Sequence, residues 1–156
     1  MKGILKAITV LMACAALLAG CSSPADQGKE IDIETVASDM VAATEFDEEL
    51  VKVSESYAGN HYDLTGVEAS VIYRNASGGK AEELSLFKAK DADSVQTIRT
   101  MLEKHLENQK TAFENYVPAE IYKLDNAVLT ENGNYVALVV ASDGSSAEAV
   151  FDKAFE

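Results

Sequence analysis

The stretch "AVLTENGNYVALVV", Ala127 to Val140, constrains the fold more than any other part of the chain. Two apolar, β-favouring runs flank Asn132-Gly133. That dipeptide tolerates the positive φ angles of a type I′ turn, so the stretch predicts a β-hairpin. A two-residue Asn132-Gly133 loop would set Leu129 opposite Val136 and Val128 opposite Ala137. A second hairpin is legible upstream. From Gly66 to Arg74 the chain alternates, with Val67, Ala69, Val71 and Tyr73 pointing one way and Glu68, Ser70 and Arg74 the other. "NASGG" (Asn75 to Gly79) is a turn, and Lys80 to Lys88 returns with Leu84 and Leu86 on one face.

Helical patterns surround the hairpins. Ile33, Val36, Ala37, Met40 and Val41 form one stripe. Thr44 with Asp47 reads as a loose capping box opening a second helix, with Phe46, Leu50, Val53 and Tyr57 buried and Gly59-Asn60 as its stop. Asp91 caps a long helix whose stripe is Val95, Ile98, Leu102, Leu106 and Phe113, ending before Pro118. A helical turn at Ala119 to Lys123 follows. Ser145 with Glu148 predicts a capped terminal helix with Ala149, Val150 and Phe151 facing inward. The expected class is α+β: a two-layer sandwich of about four antiparallel strands in two hairpins, covered by helices, in the order α, ββ, α, ββ, α.

The first 20 residues do not belong to that domain. Lys2 and Lys6 precede a mostly apolar run from Ala7 to Gly20. At ~1.5 Å per residue its roughly 14 residues reach about 21 Å, short of the ~30 Å bilayer core. Residues 1–20 therefore read as a secretory leader. Leu18-Ala19-Gly20-Cys21 resembles the lipobox of bacterial lipoproteins, in which diacylglycerol is attached to the Cys sulfur and the leader is cut before it, here between Gly20 and Cys21. Two acyl chains hold a protein at a membrane where one holds it marginally, since each buried methylene contributes ~0.8 kcal/mol. Residues 21–30, with Pro24 and Gly28, read as the lipidated Cys and a flexible tether, and 31–156 as one globular domain. Cys14 would leave with the leader, so neither disulfide nor free thiol would remain, and the core alone must stabilise the domain.

The full chain carries a net charge of −13, with 13 Lys and Arg against 26 Asp and Glu. Loss of Lys2 and Lys6 takes it to −15. Such a surface repels phosphate backbones, which disfavours nucleic-acid binding.

The residues "ELSLFKAKDADSVQTIRTMLEKHLENQKTAFENYVPAEIYKLDNAVLTENGNYVALVV" resemble the bacterial lipoproteins grouped as domain of unknown function 4358. The specific points are "FKAKDADSV", "NYVPAEIYKL" and "NGNYVALVV", and the resemblance runs from about Ile33 to Phe155. It implies a small exported, lipid-anchored domain of the kind common in anaerobic Gram-positive bacteria, and no activity.

Motifs for chemistry are sparse. His61 and His105 are the two histidines, and neither has the i, i+4 partner of a helical metal site. Asp63 is placed to orient His61, which makes His61 the residue on which an envelope enzyme would rest. Ser145 and Ser146 lack a G-x-S-x-G elbow, and helix capping accounts for them. "KDADSV" fails as a calcium loop, because Gln96 and Leu102 fall where Gly and a bidentate Glu belong. No catalytic residue, metal or cofactor is assigned. Tyr57, Tyr62, Tyr116 and Tyr122, near element ends, together with His61, are the candidates to line a ligand groove. The expected function is a non-catalytic binding or interaction module, held at the envelope by lipid on Cys21. Its partner would be another envelope protein, a peptide or a cationic ligand. The alternatives are an enzyme using His61, or an assembly subunit with a contiguous exposed apolar patch.

Overall fold

A computed structural model describes residues 29–156. The leader, the Gly20–Cys21 cleavage site, Cys21 and most of the tether lie outside the described residues. The fold is α+β in roughly the expected order, with an added strand between the first two helices, and is built on one antiparallel sheet. Strands β1 (Leu50–Lys52), β2 (Val67–Asn75), β3 (Glu83–Ala89), β4 (Val128–Asn132) and β5 (Tyr135–Val140) are arranged β1-β2-β3-β5-β4. The helices are α1 (Ile33–Ala43), α2 (Glu55–His61), α3 (Ala92–Tyr116), α4 (Ile121–Asp125) and α5 (Ser145–Ala154), with a 3-10 turn at Pro118–Glu120.

The sheet has five strands where about four were expected. Phe46, Leu50, Val53 and Tyr57 sit at spacings that mimic a helical stripe, yet Leu50–Lys52 pairs with Tyr73–Asn75. Thr44 does not open a helix. It terminates α1, its hydroxyl donating to the Met40 carbonyl. α2 begins only at Glu55, capped by Ser54, and runs through Gly59-Asn60.

Helices cover both faces of the sheet, one more layer than the two-layer expectation. Val71, Leu84, Leu86, Ala137 and Val139 pack against α1 and α5. Ile72, Phe87, Val136, Leu138 and Val140 pack against α2, α3 and α4. The central strand explains why. Every residue of β5, YVALVV, is buried, and a strand apolar on both faces must be covered on both.

The second hairpin turns one residue later than expected. Asn132 pairs with Tyr135, so Leu129 faces Leu138 and Val128 faces Val139, a shift of two positions that preserves which face each side chain takes. The loop is Gly133-Asn134, with Gly133 at φ +55°. In α5, Gly144 is the N-cap and Ser145 makes no capping-box bond; Ala147 and Phe151 are buried while Ala149 is exposed.

One glycine fixes how the sheet meets α3. Gly66 has φ +78°, and a Cβ there would lie 2.8 Å from the Cβ and Oγ of Ser94 in the first turn of α3. Its carbonyl also accepts from Lys90 N–H at 2.9 Å. Gly66→Ala is expected to destabilise by about 2 kcal/mol or more, combining left-handed strain with overpacking. Urea unfolding measures it, and a loss below ~0.5 kcal/mol would contradict the tight approach.

A buried ion cluster pins the irregular segment before β1. Lys123 of α4 is 0% exposed, and its Nζ lies 2.8 Å from Asp47 Oδ2, 3.0 Å from Glu82 Oε1 and 3.1 Å from Glu120 Oε2. Asp47 N–H donates to Glu82 Oε1 (2.8 Å) and Ala81 N–H to Glu120 Oε2 (3.1 Å). Lys80 adds a second cation, 2.8 Å from Asp47 Oδ2. Hydrogen bonds from Lys123 and then Lys80 hold the Asp47 carboxyl down at about 2. These contacts join the β2–β3 turn, the 3-10 turn, α4 and the residue 44–49 segment.

Candidate functional site

β3 opens on a carboxylate, Glu83, opposite Arg74 of β2 and Val140 of β5. Glu83 points to the α3 face and is almost fully buried. Such a group must be hydrogen-bonded and charge-compensated. Its Oε1 accepts from the Tyr62 hydroxyl at 2.9 Å and from the Ser85 hydroxyl. Its Oε2 lies 2.9 Å from His105 Nε2 and 3.4 Å from Arg74 Nε. Burial alone would raise the Glu83 pKa, but His105, Arg74 and the Ser85 hydroxyl together hold it below the usual carboxylate value. Burial, with the Glu83 charge beside it, pushes the Tyr62 phenol up, so Tyr62 serves as a hydrogen-bond donor. Arg74 also donates to the Tyr57 hydroxyl, and its guanidinium lies 5.8 Å from the Tyr57 ring centre.

Each partner comes from a different element. Tyr62 is the C-cap residue of α2, Arg74 comes from β2, and Glu83 and Ser85 from β3. His105 sits mid-α3, on the helix face next to the buried stripe of Ile98 and Leu102.

Above this network lies a groove of about 560 Å³ between the end of α2 and the outer side of α3. His61, Tyr62, Asp63 and His105 line it, with Thr97, Thr100, Met101, Lys104 and Asn108 among the α3 residues. The size falls in the range of small-molecule sites, roughly 300–1,000 Å³. Asp63 and Lys104 bring opposite charges to its walls. The Asp63 carboxyl is held below the usual carboxylate value, first by the Thr65 hydroxyl and N–H and also by the charge of Lys104.

The five residues singled out as groove candidates divide. Tyr57, His61 and Tyr62 come together: the Tyr57 and His61 rings stack with centres 4.0 Å apart, and Tyr62 lies at the groove floor. Tyr116 and Tyr122 do not join them. Tyr116 ends α3 at 77% exposure, and the Tyr122 hydroxyl pairs with the Ser142 hydroxyl. His61 is exposed and has no carboxylate partner among the described residues; Asp63 accepts from Thr65 N–H instead of orienting the ring.

From the sequence, His105 is weighed only as a metal ligand, Arg74 is placed on a polar strand face, and Glu83 is not singled out. His105 and Glu83 are 22 residues apart on a helix and a strand, so no local spacing joins them. The available signal was Glu83 itself, an acid next to "LSLF".

Other candidates resolve into local structure. Asp91 caps α3, its Oδ1 accepting from Ser94 N–H (2.8 Å) and Ser94 Oγ (2.7 Å). Among the described residues no group of three or more His, Cys, Asp or Glu is arranged to hold a metal ion. Among them, too, no helix is long and apolar enough to cross a membrane. The exposed large apolar side chains, Val51, Tyr116 and Tyr122, lie on three different elements.

The family described as "Domain of unknown function (DUF4358)" matches residues 42–141. That span holds all five strands and α2, α3 and α4, hence the whole groove and its floor. No curated protein and no solved structure matches the chain.

Proposed function

The chain belongs to the DUF4358 family, and from that premise we propose that it is an exported lipoprotein, anchored through Cys21, whose α2–α3 groove binds a short peptide without transforming it. The observation that carries the binding reading is the groove's floor. Glu83, Tyr62 and His105 are locked to one another, a preorganised surface that needs little reordering on binding. No hydroxyl among the described residues is hydrogen-bonded to either histidine, so the groove presents no activated nucleophile. Lys104 with His105 suits a ligand carboxylate, Asp63 suits an ammonium, and Gln96 and Asn108 suit peptide amides.

Binding is tested on the full chain, purified in detergent and labelled for NMR, with free-ended trialanine as probe. Shifts should concentrate on Thr97, Thr100, Met101 and Asn108. Lys104→Glu, and separately capping both ends of the peptide, should each weaken binding by about tenfold or more, about 1.4 kcal/mol. Shifts that avoid these residues would overturn the assignment.

The anchor is tested separately. In a bacterial host the chain should fractionate with membranes, and its mature N-terminus should carry the mass of a diacylglyceryl group on Cys21. Cys21→Ser should move it to the soluble fraction or leave the leader uncut. A wild-type product that is soluble and unlipidated would remove this half of the reading.

A catalytic reading is favoured by one contact, the 2.9 Å pair between His105 Nε2 and Glu83 Oε2, which is how a carboxylate orients a general base. It rests on His105 and not on His61. His105→Gln that spares peptide affinity but abolishes cleavage of the peptide would select it.

A further inference from the structure

The edge of the sheet at β2 is only half covered. β1 pairs with Tyr73, Arg74 and Asn75, and beyond it Val53 N–H donates to the Ile72 carbonyl at 2.9 Å. The chain then leaves the sheet into α2. The rest of β2, Val67 to Val71, has β3 on its inner side and, among the described residues, no strand on its outer side. Main-chain groups alternate sides along a strand, so the Ile72 carbonyl identifies Ser70 as the next residue facing outward. Among the described residues no main-chain or side-chain hydrogen bond closes on Ser70 from that side. An uncovered edge of this kind is a template for another strand.

The space beside it has the shape of a slot. A cavity of about 440 Å³ lies along Val67–Ser70, bounded by Ile33 and Glu34 of α1 and by Glu55 and Ala58 of α2. α1 packs on one face of the sheet and α2 on the other, so the slot continues the sheet's own plane. A smaller cavity sharing Glu34, Glu55, Ala58 and Ser70 extends it toward Val53 and Ile72. The floor is apolar, with Ala58, Leu64 and Val67, and the rim is acidic, with Glu34, Glu55 and Glu68. Lys52 pairs with Glu34 and Lys88 with Glu68, while among the described residues Glu55 is in no ion pair. The rim thus carries more carboxylates than the cations paired with them, on a chain whose net charge is −13.

We propose that this slot receives an extended, lysine- or arginine-bearing segment of a partner protein, which adds to the sheet as a sixth strand alongside Val67–Val71. Main-chain bonds to Ser70 supply the register, alternate apolar side chains reach Ala58 and Leu64, and outward cations meet Glu34, Glu55 and Glu68. Five strand residues span about 16 Å at ~3.3 Å each, so four or five partner residues fill the open length. A second copy of this chain is the poorer occupant, because two such rims would bring like charges together. The inference is independent of the α2–α3 groove, with which the slot shares no lining residue.

The test uses the full chain in detergent and a capped hexapeptide alternating Lys and Val. Amide hydrogen exchange should show Ser70 slowed about tenfold or more by the peptide, with nuclear Overhauser contacts between the peptide backbone and Val67–Val71. A capped peptide alternating Glu and Val should give no such protection. Glu55→Lys should weaken the Lys–Val peptide by about tenfold, whereas Lys104→Glu, in the other groove, should leave it within about twofold. Ser70→Pro should abolish binding, since an edge position tolerates proline but loses its donor. If that variant fails to fold, the exchange and Glu55→Lys results still decide. An unprotected Ser70 amide, equal protection by the acidic peptide, or protection that follows self-association in sedimentation without peptide would each overturn the proposal.

Discussion

Lys123→Met is expected to destabilise the domain by about 3–5 kcal/mol, the cost of removing one partner from a buried ion cluster. Lys123 is fully buried. Burial alone would depress its pKa, but Asp47, Glu82 and Glu120 outweigh it and hold the ammonium charged above the usual lysine range. Without it, the buried Glu82 and Glu120 carboxylates face each other with Lys80 as the remaining cation nearby, and Lys80 reaches only Asp47 and, at 3.4 Å, Glu120. Among the described residues Glu82 Oε2 has no hydrogen-bond partner, so Lys123 and the Asp47 N–H, both on Oε1, are the donors that hold this carboxylate. Against a typical total of about 5–15 kcal/mol the loss leaves little margin. Urea unfolding of both proteins at neutral pH measures it, and the double variant Lys123→Met/Glu82→Gln should recover part of the loss through the coupling of the two sites. A single variant within ~1 kcal/mol of wild type would mean that water, not the three carboxylates, solvates Lys123.

Glu83→Gln should be comparably severe, about 3–5 kcal/mol, and should also change the acid limb of the stability curve. Glutamine keeps the shape but removes the charge opposing Arg74 and turns one accepting oxygen into a donor, facing Tyr62, Ser85, His105 and Arg74. The folded Glu83 pKa lies below its ordinary value. A depressed carboxylate contributes stability that is fully present above its unfolded pKa, about 4.3, and is lost as pH falls through the folded value. Wild type should therefore lose stability more steeply than Glu83→Gln below about pH 4. Asp47, lowered to about 2, contributes to the same limb in both proteins and so cancels from the comparison. Parallel acid limbs would show that Glu83 is not held ionised by His105 and Arg74. Because Glu83 also positions His105, the variant should weaken peptide binding in the groove as well.

Legibility in the sequence followed the range of the interactions. The long α3 with its Asp91 cap, the existence of both hairpins and the inward Phe151 rest on contacts within a few residues and stand as expected, while the second turn falls one residue late and the last helix lacks its capping box. β1 was missed because Leu50 and Val53 satisfy a helical spacing locally, while the bonds that make a strand come from Tyr73–Asn75. The second helical layer was legible in one place only, the unbroken apolar run of β5, which alternation-based reading treats as one face. For the candidate site, Tyr62 and His61 were named from position near an element end. Arg74 was assigned to a polar face that proved to be the floor of the second core.

By itself the sequence determined the local signals that short-range sterics and capping fix: the Asp91 cap of α3 and its stop before Pro118, the alternation of β2, and the presence of a glycine turn between β4 and β5. Only the tertiary structure decided which charges meet. Lys123 with Glu82, and His105 with Glu83, are pairs 41 and 22 residues apart. Each exists because burial strips water from a carboxylate, and the nearest hydrogen-bonding partner in space, whatever its place in the chain, must replace it.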